Sequence, residues 1–188
     1  DNVRAAAEII IRANPATLKA DLSGLRFKEA TNAPPVDSSP DGIRRPGKWA
    51  AHFQQTYHGI DVVGGEVHLT FLETGRLFAL GSTYYQDISV DWTPGISGER
   101  AKDIARGALP FHPETDSVEV AVKLLVLPVP LSETQVEHHL IWETRVHTRE
   151  PLGVWITSVD AQTGRILRRT NDINFIHVLY GTTVGQVE

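Results

Sequence analysis

The sequence predicts an α+β fold of two successive units, each a helix packed on an antiparallel sheet. Three observations carry this expectation. Two segments, one at the N-terminus and one near residue 100, place apolar residues at helical spacing. Each is followed by stretches in which apolar and polar residues alternate, the period of a half-buried strand. A Thr-Gly-Arg-aliphatic step then occurs twice, at Thr74–Leu77 and Thr163–Ile166, where a glycine between two β-patterned runs marks a hairpin turn.

In chain order, "DNVRAAAEIIIRA" reads as a helix that Asp1 or Asn2 can cap and that Asn14-Pro15 ends. Val3, Ala7, Ile10 and Ile11 form its apolar stripe. "GLRFKEAT" is a strand, and the proline-rich stretch Thr31–Lys48 is a surface excursion with disorder expected at Asp37–Asp41. In "KWAAHFQQTYHG", Trp49, Ala51, Phe53, Gln55 and Tyr57 share one face of a strand. "EVHLTFL" and "RLFALGSTYY" complete a meander, with turns expected at Gly59–Gly65 and Glu73–Arg76. Aromatic side chains here, and Trp142 and Trp155 later, read as core, and Gln54 and Asp160 as partners for backbone groups.

The second unit opens with a helix in "TPGISGERAKDIARGAL", where Ser97 is the cap and Glu99 suits the positive end of the helix dipole. Ala101, Ile104, Ala105, Ala108 and Leu109 form its stripe. "SVEVAVKLLVL", "HLIWETRVH" and "GVWITSVD" are the strands that follow, and the last turns through Ala161–Gly164 into "RILRR". The expected boundaries are 1–95, with the proline-rich loop at 31–48, then 96–172, then a tail at 173–188 leading to a following domain.

Composition excludes several functions. The chain has 188 residues with a formal net charge of −5 and no long basic run, so a nucleic-acid footprint is missing. No apolar run reaches the ~20 residues of a membrane-spanning helix. There is no cysteine, which removes disulfides, thiolate catalysis and Cys-based zinc sites. None of the eight histidines is followed by Glu, so the His-Glu-x-x-His zinc signature is missing, and the adjacent His138 and His139 of a strand point to opposite faces. A Gly-x-Ser-x-Gly elbow and a phosphate-binding glycine loop are also missing. The expectation is a chain with no catalytic residue, no metal ligand and no cofactor.

The stretch His52–Ser82, "HFQQTYHGIDVVGGEVHLTFLETGRLFALGS", resembles the fungalysin/thermolysin propeptide motif. Phe53, Gln54, Tyr57, Gly59, Ile60, Val62, Gly64, Gly65 and Gly75 stand at its positions. The second half is similar to a PepSY-type domain, with Trp142, Asp160, Gly164 and Ile166 at its signature points. The order of the two is that of pro-regions of secreted thermolysin-like zinc metallopeptidases. The resemblance implies an intramolecular chaperone and inhibitor of a cognate metallopeptidase catalytic domain, acting in cis or in trans, secreted or periplasmic. It implies structural roles for the motif residues and places a processing or cleft-binding segment at Phe175, Ile176, His177, Val178 and Leu179. A free-standing secreted protease inhibitor or ligand-binding PepSY module is the alternative.

Overall fold

A computed structural model describes residues 2–37, 43–133 and 135–173. The protein is mixed α/β, with few helices and a large sheet whose pairings are almost all antiparallel. Helix α1 (Asn2–Ala13) is followed at once by a short helix α2 (Pro15–Leu18) and a 3-10 turn at Leu22–Gly24. Pro15 thus begins a helix as well as ending one, since its missing N–H costs nothing in a first turn. Ala7 and Ile11 of α1 are buried, with Val3 and Ile10 packed beside them.

Strands β1 (Leu25–Ala33), β2 (Lys48–Tyr57), β3 (Ile60–Leu72) and β4 (Leu77–Ser82) pair in sequence. The connection between β1 and β2 extends their hairpin to a further bridge, Val36 opposite Arg45, and its tip at 38–42 lies outside the described residues. Ala51 and Phe53 of β2 with Val67, Leu69 and Phe71 of β3 form one face, which α1 and α2 cover. Trp49 alternates in phase with that face but lies outside its cluster and is 42% exposed, so the core role that alternation assigned it is not met.

Helix α3 (Gly98–Gly107) is capped by Ser97, whose hydroxyl accepts from the Arg100 N–H at 3.2 Å. Its buried Ala101 and Ala105 lie against Val146 and Val159 of β7 (Val136–Arg149) and β8 (Leu152–Asp160). Strand β9 (Ile166–Asn171) completes this half. The expected single strand "SVEVAVKLLVL" is divided. β5 (Ser117–Val118) and β6 (Lys123–Pro130) both pair with β7, and the residues between them bulge out, leaving Val120 87% exposed.

The two halves join edge to edge. β3 pairs in parallel with β6, Val62 opposite Val126, giving a nine-stranded sheet of order β1-β2-β3-β6-β7-β8-β9 with β4 and β5 off this path. The linker after β4 seals the joint: Tyr85, Ile88 and Val90 pack on Val62, Val126, Leu140 and Ala161.

Candidate interaction surface

The motif residues of the first half converge on a bend in β3. His58 and Gly59 have φ of 49° and 80°, the left-handed pair of a two-residue hairpin between β2 and β3. The turn ends there. Gly64 and Gly65 were expected in it, but they lie inside β3, where the ladder with β2 is interrupted between Gln54 and Thr56. Gly64, at φ 72°, makes the bend. Gly65 makes room, since a Cβ there would stand 2.6 Å from Oε1 and 2.9 Å from Cβ of Gln55.

A bulge frees carbonyl groups that the ladder no longer satisfies, and a buried carbonyl needs a donor. Gln54 supplies it: its Nε2 donates to the carbonyls of Val62 at 2.7 Å and Gly65 at 2.9 Å. Gln55, only 2% exposed, faces the other way and clasps the linker. Its Nε2 donates to the Tyr85 carbonyl at 2.7 Å, and its Oε1 accepts from the Tyr85 N–H at 2.9 Å. Neighbouring glutamines of one strand thus hold the bend from one face and the linker from the other. Phe53 meets Phe27 edge to face at 5.5 Å between ring centroids. Tyr57 and Ile60 pack against Val62 at the joint.

In the second half Trp142 donates from Nε1 to the Ile96 carbonyl at 2.9 Å, tying β7 to the entry of α3. Gly75 and Gly164, at φ 82° and 76°, occupy equivalent places in the two Thr-Gly-Arg turns. In the longer second turn Asp160 Oδ1 accepts from the N–H groups of Gln162 and Thr163 at 3.0 and 2.7 Å and from the Thr163 hydroxyl at 2.8 Å. Burial opposes ionisation of this carboxyl, but the Thr163 and Gln162 bonds and His139 outweigh it and hold Asp160 below the ordinary aspartate value. Gln162 binds the Thr93 carbonyl at 2.6 Å, so this turn is anchored to the linker.

These sites are scaffold joints, separated along the sheet. Sequence reasoning passed over Gln55, Gln162 and Asp116, whose carboxylate accepts from the His112 and Arg149 N–H groups at 2.8 and 3.0 Å. For Gln55 a signal existed, since alternation places this amide among Ala51 and Phe53 on an apolar face. Phe175, Ile176, His177, Val178 and Leu179 lie outside the described residues. Among the described residues no three His, Asp or Glu side chains are placed to share an ion.

What remains open to another polypeptide is the set of strand edges. β1, β4 and β9 each pair with one neighbour among the described residues. β1 carries Arg26, Lys28 and Glu29, and β9 carries Arg168 and Arg169, charges that discourage edge-to-edge pairing. β4, "LFALGS", carries none, and its Leu77, Phe78 and Leu80 are exposed.

Among curated proteins, no relative matches the sequence. A solved structure, the Bacillus megaterium YpeB C-terminal domain, aligns over 92% of this chain with 14% identity and a TM-score of 0.42, and the chain spans 65% of that structure's length. Residues 50–84, which hold nearly all of β2 together with β3, its bend at Gly64–Gly65, and β4, match the Fungalysin/Thermolysin Propeptide Motif.

Proposed function

We propose that the chain is a pro-region of a secreted thermolysin-like zinc metallopeptidase, an intramolecular chaperone and inhibitor that performs no chemistry of its own. The observation that carries this reading is the propeptide motif at residues 50–84, whose glutamines and glycines build a bent sheet. In this reading residues 1–95 form the propeptide-motif unit, 96–172 a PepSY-type unit, and 173–188 a tail reaching the catalytic domain, with processing near Phe175–Leu179. The motif residues Phe53, Gln54, Tyr57, Gly59, Ile60, Val62, Gly64, Gly65, Gly75, Trp142, Asp160 and Gly164 act by holding the scaffold.

The physical logic has two parts. A partner that binds only the native-like catalytic domain stabilises it by mass action. Covalent linkage raises the partner's effective concentration to about the millimolar range, and cleavage removes that advantage. The sheet edges make the contact, and β4 is the edge best suited to accept a strand.

The test is to add the purified chain to the cognate mature peptidase and follow peptide hydrolysis. Inhibition at micromolar concentration is expected. Phe78→Lys, at a 57%-exposed edge position, should weaken it about 5- to 30-fold if β4 is an interface anchor. Full-rate hydrolysis in excess chain would refute the inhibitory role. An unchanged refolding yield of the denatured catalytic domain would refute the chaperone role.

A further inference from the structure

A cavity of about 370 Å³ opens between α2, the end of β2 and the linker after β4. It lies within the small-ligand range of about 300–1,000 Å³. Pro15, Ala20, Ile88 and three tyrosines, Tyr57, Tyr84 and Tyr85, are among the residues that line it. Three ionic side chains also line it: Lys19, Asp21 and Asp87. Lys19 and Asp87 make no ion pair among the described residues, with each other or with any other group. Asp21 Oδ1 accepts from the Ser23 N–H at 2.8 Å, and the Ser23 side chain also bonds this carboxylate, whose charge remains without a cationic partner among the described residues.

The wall is preformed. The Tyr84 hydroxyl sits where a Cβ at Gly24 would overlap it, and Tyr85 is held by both ends of the Gln55 amide. A cavity with opposite charges that do not neutralise one another, around an aromatic wall, complements a ligand that carries both signs itself. A tyrosine ring attracts a cation that reaches it, and the apolar residues take a side chain.

We propose that this cavity binds a zwitterionic amino acid or short peptide, with its carboxylate toward Lys19 and its ammonium toward Asp21, Asp87 and the tyrosine rings. This does not depend on the pro-region reading: binding is read on the chain alone, without any peptidase.

The experiment is an amide NMR titration of the chain with L-leucine and with the dipeptide Gly-Leu, which separate a free amino acid from a peptide as the source. Saturable shifts centred on residues 19–21 and 84–88 at millimolar ligand are expected for at least one of the two. Leucine amide carries only the cation, N-acetyl-leucine only the anion, and N-acetyl-leucine amide neither. Each loss of a charge should weaken binding about two- to fivefold, the worth of a partly exposed ion pair. Lys19→Asn and Asp87→Asn should do the same for the zwitterion. Asparagine suits both positions, where φ is 50° and 56°, so these variants keep the fold. Absence of saturable shifts for both zwitterions overturns the proposal. Equal binding of leucine and leucine amide overturns it as well, as does binding unaffected by either substitution.

Discussion

Substituting Gly65 tests the bend in β3 most directly. In Gly65→Ala the new methyl would lie 2.6 Å from Oε1 and 2.9 Å from Cβ of Gln55, and 3.2 Å from Cβ of Val62. Neither neighbour has room to retreat, since Gln55 is 2% exposed and Val62 is fully buried. Relief requires moving Gln55, which strains or breaks its two bonds to Tyr85. Overpacking costs about 1–3 kcal/mol. Each lost hydrogen bond adds about 0.5–1.5 kcal/mol. The expected loss is therefore about 2–4 kcal/mol, a fall in Tm of roughly 4–16 °C for a chain of this size.

Urea denaturation of Gly65→Ala, Gln55→Ala and the double variant measures it. Gln55→Ala alone leaves the Tyr85 N–H and carbonyl without their partner, at about 1–3 kcal/mol each when buried. In the double variant the clash with the amide is gone, so the losses should be sub-additive by about 1 kcal/mol or more. A neutral Gly65→Ala, or strict additivity, would show that the contact between Gly65 and Gln55 does not shape this bend.

Other outcomes follow from the same geometry. Gly64→Ala should cost about 1 kcal/mol, and Gly64→Asn less, because the penalty there is backbone strain at φ 72° and not space; equal costs in urea melts would contradict this. Gln54→Leu leaves the Val62 and Gly65 carbonyls without their donor and should destabilise by about 1–3 kcal/mol, read in the same assay. Asp160 is held below its ordinary aspartate value, so its stabilisation is complete above the unfolded-state value and is lost as pH falls through the lower folded value. Asp21 and Asp116 shift in the same direction. The difference between the acid unfolding curves of wild type and Asp160→Asn therefore isolates the Asp160 share, and superimposable curve shapes would deny it.

The local grammar of this chain was legible without coordinates. Ser97 caps a helix whose Ala101 and Ala105 face the core, and Gly75 and Gly164 turn two hairpins with the same Thr-Gly-Arg step. Helix spacing, strand alternation and a glycine's access to positive φ are properties of a few consecutive residues, so a short window reveals them.

What the tertiary structure alone decided is where strands bend, break and meet. Val62 opposite Val126 joins the halves, Gly65 yields space to Gln55, and "SVEVAVKLLVL" splits although Val118, Val120, Val122, Leu124 and Val126 keep one phase. The same holds for surface exposure: Trp49 alternates in phase with Ala51 and Phe53, yet it stays outside the cluster they form with α1 and α2 and is 42% exposed. Each of these outcomes depends on contacts between residues distant in the chain. Periodicity names the face a side chain takes, but only the arrangement of neighbouring elements determines whether anything covers that face.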